Sequence, residues 1–259
     1  MKETNLPSVY SRLLRDHKRG YKAVAVLVDP DKTTEDQCDE LLTNALLHRI
    51  DYFFVGGSLI TTDHIHLLVE RLRKQDSIPV LLFPGSNLHI DPKADAILLL
   101  SLISGRNPEL LIGQHVAAAP ILRRSALEVI PTGYLLIDGG RQSAVQYISN
   151  TTPIPHEKNT IAVCTAMAGE MLGLKLIYLD AGSGALRTIS PSMISAVRRS
   201  IEVPLIVGGG ITDADTARKL LEAGADLVVI GNGIEKNPEL LSEVSQKVRA
   251  MNAALNVHE

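Results

Sequence analysis

The chain has no tryptophan, three phenylalanines and two cysteines in 259 residues. Cys38 and Cys164 stand far apart with no paired motif. That excludes a disulfide framework or a cysteine-based zinc site and fits a reduced, cytoplasmic protein. No apolar run approaches the ~20 residues needed to span a bilayer. The opening residues 1–10 lack the apolar core of a secretion signal. A net charge of −3 offers no basic excess for nucleic acid or a polybasic membrane anchor. A phosphorylated ligand therefore has to be held by a local site. There is also no early G-x-G-x-x-G turn of the kind an open dinucleotide-binding sheet uses.

What the chain does have is glycine at the ends of short apolar runs. Residues 205–207 close on Gly208, Gly209 and Gly210, and residues 227–230 close on Gly231, Asn232 and Gly233. Each run leads into a helical pattern. Two such turns side by side expose main-chain N–H groups, and a following helix adds its positive end, which makes an anion cradle. In a (β/α)8 barrel the loops after strands seven and eight are the usual phosphate grip. The alternative is that these glycines serve turns alone.

The rest of the chain supplies that barrel. Strands are predicted at 23–28, 52–55, 80–83, 96–100, 134–137 and 176–179, ahead of the two glycine-closed runs. Helices are predicted at 33–48, 62–74, 107–124, 160–172, 191–199, 213–223 and 238–255, with a short amphipathic helix at 7–17 preceding the barrel. Residues 88–95 leave room only for a proline-broken turn, so the third barrel helix is replaced by a short irregular segment. Alternation without a break in composition predicts one α/β domain over residues 1–259, a modified (β/α)8 TIM barrel.

Polar residues recur at the C-terminal strand ends, where barrels keep their sites. Asp29 and Ser58 end the first two strands. As hard oxygen ligands they suit Mg2+ that takes the rest of its shell from water and phosphates; Asp29-Pro30-Asp31-Lys32 also reads as a polar turn capping a helix. Asp180 ends the sixth strand beside Gly182, Ser183 and Gly184. It can act as a general base with anion contacts nearby, or serve as an ordinary turn residue. Asp138 and Arg106 are weaker candidates, better read as a turn and a solvated side chain. His64, His66 and His89 lack metal-ligand spacing.

Together the segments 27–32 (LVDPDK), 56–58 (GGS), 178–184 (YLDAGSG), 207–211 (VGGGI) and 231–232 (GN) resemble the geranylgeranylglyceryl phosphate synthase family. That family includes bacterial heptaprenylglyceryl phosphate synthase relatives. The likeness covers nearly the whole chain, and residues 104–108 and 181–184 resemble the second of its two sequence groups. The resemblance implies a prenyltransferase on a modified TIM barrel, joining sn-glycerol 1-phosphate to C1 of a polyprenyl diphosphate and releasing diphosphate. It makes geranylgeranyl the default chain and leaves a longer one open. By position it puts Mg2+ on Asp29 and Ser58. It puts the glycerol phosphate on Tyr178, Leu179, Asp180, Ala181, Gly182, Ser183, Gly184, Gly209, Gly210, Gly231 and Asn232.

On this reading Asp180 draws off the hydroxyl proton and Lys32 helps neutralise the leaving diphosphate. The prenyl tail is expected along Leu81, Phe83, Leu98 and Leu100. A homo-oligomer is expected, with peripheral membrane contact through the lipid product. Many family members carry glutamate where this chain has Asp180. The chain also lacks the D-D-x-x-D cluster of chain-elongating prenyl synthases, as the family does.

Two other readings share the glycine turns. One is a phosphate-gripping isomerase or lyase on a phosphorylated, sugar-like substrate, using Asp29 with Asp138 or Asp180. The other is an inactive phosphate-binding scaffold.

Overall fold

The computed structural model describes residues 8–237 and 239–255; Pro7 and Pro238, the expected starts of the first and last helices, lie outside the described residues. Eight parallel strands close into a barrel in chain order. They are β1 (Ala23–Val28), β2 (Tyr52–Gly57), β3 (Val80–Pro84), β4 (Ala96–Leu102), β5 (Glu128–Leu136), β6 (Leu176–Asp180), β7 (Leu205–Gly208) and β8 (Leu227–Ile230). β1 pairs with β8 through Ala23↔Leu227 to Val26↔Ile230, which closes the ring.

The helices are α1 (Val9–Lys18), α2 (Glu35–His48), α3 (Ile65–Leu72), α4 (Gln114–Arg124), α5 (Ala144–Ser149), α6 (Asn159–Met171), α7 (Pro191–Arg198), α8 (Ala214–Glu222), α9 (Asn232–Lys236) and α10 (Glu239–Leu255). Several start where side chains can satisfy orphan N–H groups. Thr34 and Gln37 form a reciprocal capping box on α2, Ser190 precedes Pro191 on α7, and Asp213 accepts from Thr216 N on α8.

The apolar residues form two layers. One lies between strands and helices and includes Val26, Val28, Phe53, Val55 and Leu82. The other fills the barrel interior with Ala25, Tyr52, Phe54, Leu81, Leu98, Tyr134 and Tyr178. Val9 and Leu13 of α1 belong to the interior layer, so α1 plugs the N-terminal end. Glu128 fixes it there by accepting from Val9 N and Tyr10 N at 2.6 and 3.1 Å.

The predicted departure is present: residues 85–95 carry no helix. Asp91, 3% exposed, anchors this connector to α3 through His66 Nδ1 at 2.6 Å. Four further features were not predicted. The helix expected over 107–124 opens as a π-turn, Glu109–Gly113, in which Gln114 N donates to Glu109 O. Helix α5 and helix α9 are additional. Strand β5 begins six residues earlier than expected, at Glu128.

Candidate active site at the barrel mouth

The C-terminal strand ends form one mouth with two neighbouring halves. In the first, the β1–β2 register ends at Val28↔Val55, which brings Asp29 and the Gly57-Ser58 turn to adjacent strand ends. A methyl at Gly57 would lie 3.8 Å from Asp29 Oδ1. Asp29 Oδ1 accepts from Asp31 N at 3.1 Å, and Oδ2 pairs with Lys32 Nζ at 2.7 Å. Asp31 is bound in turn by Thr61 and Thr62. Burial is the largest single influence on its carboxyl and pushes it up, but the hydrogen bonds from Thr62 and Thr61 together outweigh that and hold it at about 2.

Among the described residues no group of three or more His, Cys, Asp or Glu converges. The donor set is one carboxylate and one hydroxyl. That fits Mg2+, which keeps several waters and takes substrate phosphates, and it does not fit a metal that demands an all-protein cage.

In the second half, Asp180 ends β6 and is 8% exposed. Its Oδ1 accepts from Gly182 N at 2.8 Å and its Oδ2 from Tyr134 Oη at 2.5 Å. Burial raises its carboxyl above the usual range, and the two hydrogen bonds pull it part of the way back. Burial and the facing carboxylate also lift Tyr134 well above an ordinary phenol, so Tyr134 stays a donor.

Gly209 makes this packing possible. Its φ is +87°, and a methyl there would lie 2.8 Å from both Asp180 Oδ1 and Gly182 N. A methyl at Gly208 would lie 2.4 Å from Tyr178 Oη, so β7 can approach Tyr178 only as glycine. Ser183 Oγ donates to Asn232 Oδ1 at 3.2 Å, joining the β6 and β8 turns. Asn232 opens the short extra helix α9, the position at which barrels hold phosphate.

The structure therefore gathers Tyr178, Asp180, Gly182, Ser183, Gly209, Gly210 and Asn232 on one side of the mouth and Asp29, Lys32 and Ser58 on the other, with Gly231 between them against Leu27 of β1. Leu179 and Ala181 contribute main chain only: Leu179 packs in the outer layer and Ala181 is 2% exposed. Asp138 is a turn residue as read, accepting from Gly140 N and paired with Arg187 at 2.9 Å. Two residues were missed. Tyr134 holds Asp180, and Arg141 lies beside Gly184, where a methyl would be 3.0 Å from its Nη2. Tyr134 sits inside an apolar run and reads as core.

A cavity of about 310 Å³ leaves the mouth between the β3–β4 connector and α4. Gly57, Ser58, Phe83 and Tyr134 line its near end, and Ile97, Leu99, Ala118 and Leu122 line its far end. Phe83 and Leu100 line it as expected, whereas Leu81 and Leu98 do not. Both are fully buried in the barrel interior. The cavity passes instead to the outer face of β4, which the missing third helix leaves uncovered. Phe83 packs 6.0 Å from Tyr134 and 5.3 Å from Tyr178, so the chain's few aromatics concentrate here.

The sequence model of the PcrB family matches residues 17–253. The geranylgeranylglyceryl phosphate synthase of Spirosoma linguale is 55% identical over 94% of this chain and 98% of its own. That of Korarchaeum cryptofilum is 38% identical over 88% and 93%. A crystal structure of (S)-3-O-geranylgeranylglyceryl phosphate synthase from Thermoplasma acidophilum, in complex with substrate sn-glycerol-1-phosphate, superposes with a TM-score of 0.88. It is 31% identical and covers 94% of this chain and 99% of its own. With the family match spanning all eight strands and both halves of the mouth, the chain belongs to the PcrB family.

Proposed function

We propose that this protein is a prenyltransferase that joins sn-glycerol 1-phosphate to a polyprenyl diphosphate, forming a prenylglyceryl phosphate ether and diphosphate. One observation carries the reading: a single apolar cavity touches Ser58 at the Asp29 side and Tyr134, which holds Asp180, at the other. A hydrocarbon tail in that cavity places its diphosphate end beside one half of the site and its first carbon near the other.

The glycine turns at Gly209-Gly210 and Gly231-Asn232, with Ser183, hold the glycerol phosphate and supply proximity. Its free primary hydroxyl attacks C1 of the prenyl chain while the C1–O bond to diphosphate breaks and the leaving group takes the electron pair. Asp180 accepts the hydroxyl proton; a buried carboxylate with a raised pKa suits that task at neutral pH. Tyr134 keeps its oxygen aimed. The faces of Phe83 and Tyr134 favour positive charge developing on the allylic carbon. Asp29 and Ser58 would hold Mg2+, which supplies charge neutralisation to the diphosphate; Lys32 adds its ammonium.

The isomerase or lyase reading pairs Asp29 with Asp138 or Asp180; Asp138 is spent on Arg187, and a small sugar-like substrate has no use for the apolar cavity that runs from Ser58 to Leu122. Self-association belongs to the same reading: Met171 and Leu172 at the end of α6 are 83% and 79% exposed, an apolar surface suited to a second copy.

The test is a product mass spectrum after incubation with Mg2+, sn-glycerol 1-phosphate and prenyl diphosphates from geranyl to heptaprenyl. One dominant ether names the chain length, with geranylgeranyl expected. Calorimetric binding of glycerol phosphate without any ether product would discard the prenyltransferase and keep the phosphate grip.

A further inference from the structure

We infer that Asp31 is a positioning residue for the diphosphate half of the mouth, setting the Ser58 turn against Asp29; this rests on the proposed function. The β1–β2 ladder ends at Val28 and Val55, before either candidate ligand. Beyond it Asp31 bridges the two loops. Its carboxylate accepts from Thr61 N at 2.8 Å, Thr61 Oγ1 at 2.9 Å, Thr62 N at 3.0 Å and Thr62 Oγ1 at 2.8 Å. Its own N–H donates to Asp29 Oδ1 at 3.1 Å. Lys32 N and Thr33 N close the same turn on Asp29 O at 3.1 and 3.0 Å. One residue therefore orients the Asp29 carboxylate with its main chain and fixes the following loop with its side chain.

The clamp also shapes the chain locally. The apolar period predicts a helix from residue 62, yet α3 begins at Ile65, because Thr61 and Thr62 turn their N–H groups and hydroxyls to Asp31. Asp31 itself is solvent-facing and outside the cavity. A carboxylate there gives little stability as a charge. Four converging donors instead serve to hold two loops at one separation. A partner that orients a ligand is worth about 10–100-fold in metal affinity or activity.

The experiment compares Asp31→Asn, Thr61→Val with Thr62→Val, and Thr61→Ser with Thr62→Ser. An asparagine has one acceptor oxygen and turns an amide toward the donors. The valine pair removes both hydroxyls and keeps both main-chain donors, so it reports even if Asp31→Asn folds poorly. Binding of inorganic diphosphate in the presence of Mn2+ is titrated by calorimetry and by the metal's paramagnetic resonance, beside binding of sn-glycerol 1-phosphate.

The expected result is a loss of diphosphate affinity of about 10–100-fold for Asp31→Asn and a smaller loss for the valine pair. Glycerol phosphate affinity stays unchanged and the serine pair behaves as wild type. Equal weakening of both ligands, or weakening of neither, overturns the positioning role. A wild-type protein that forms no ether but shows the Asp31-dependent diphosphate binding sinks the reaction and keeps the clamp. Ether formation with full diphosphate affinity in Asp31→Asn sinks the clamp alone.

Discussion

The two ends of the barrel surround the same residue type with different partners. At the N-terminal end Asp51, Asp95 and Asp226 each accept an N–H from a neighbouring strand: Val24 N at 2.9 Å, Val80 N at 2.7 Å and Leu205 N at 2.8 Å. Each is paired with an arginine, Arg12 at 3.3 Å, Arg73 at 3.0 Å and Arg198 at 3.1 Å. At the mouth, Asp29 and Asp180 are held by loop N–H groups, a lysine and a tyrosine. The lower carboxylates are closed off by permanent charges on helices or just past a helix end. Among the described residues the upper ones have no arginine against them, and they stand beside Gly57 and Tyr134, which line the cavity. Position on a strand end does not tell the two sets apart; the donors do, and they set what each end is proposed to do.

The sharpest way to break this contrast is to neutralise one aspartate at each end. Asp180→Asn is expected to lower kcat by about 10²–10⁴-fold with little loss of Tm, because it removes a buried charge. Asp226→Asn is expected to leave kcat of the folded enzyme unchanged. It costs about 3–5 kcal/mol in urea unfolding, since Arg198 and Lys22 lose their buried partner. A fall in kcat for Asp226→Asn at constant fraction folded would abolish the division.

Tyr134→Phe tests how the mouth tunes its acid. The Asp180 carboxyl is raised by burial and lowered again by the Tyr134 hydroxyl. In the proposed mechanism the base must be ionised, so activity is expected to fall as pH drops through the folded-state pKa. Without the hydroxyl that pKa rises further, and the acid limb of kcat/KM moves to higher pH. Stability runs the other way. The folded state holds this proton more tightly than the unfolded state, so stability declines as pH rises from the ordinary carboxylate value to the raised one, and Tyr134→Phe widens that window. An unmoved acid limb would remove Asp180 from the titration.

Gly209→Ala is a smaller perturbation of the same half. At φ +87° alanine is strained, and its methyl would meet Asp180 Oδ1 at 2.8 Å. A loss of at least about 1 kcal/mol of folding stability is expected, and the displaced turn is expected to weaken glycerol phosphate binding in a calorimeter. Full affinity would show that the turn does not touch the ligand.

Much of this contrast was legible before any coordinates. Short apolar runs ending in glycine or aspartate give the strand count and the mouth. The tail groove was not legible, because parallel strands buried on both faces carry no alternation to say which side looks inward. Leu81 and Leu98 therefore read as groove residues, while Ile97 and Leu99 on the opposite face join Leu100 and Leu102 in the lining. Nor does a π-turn announce itself, since its i→i+5 bond has no residue signature. Ser183 and Asn232 meet across 49 residues of chain, a juxtaposition that comes from β6 and β8 flanking β7 and not from any local pattern. The N-terminal aspartates were passed over because a lone acid before a strand reads as an ordinary turn.

The smallest expected effect isolates the lower end. Arg12 pairs with Asp51 at 3.3 Å and lies 4.8 Å from the Tyr52 ring, and both charged side chains are more than a quarter exposed. Water screens such a pair, so its contribution is about 0.2–1 kcal/mol. Arg12→Met keeps an apolar stem over the ring and removes the charge. The expected outcome is a modest fall in Tm, with kcat/KM and glycerol phosphate affinity unchanged. Asp51 still accepts from Val24 N, so the strand start stays anchored. If kcat/KM fell instead at constant Tm, the plug helix would be coupled through the aromatic interior to Tyr178 and the mouth, and the two ends would be one machine.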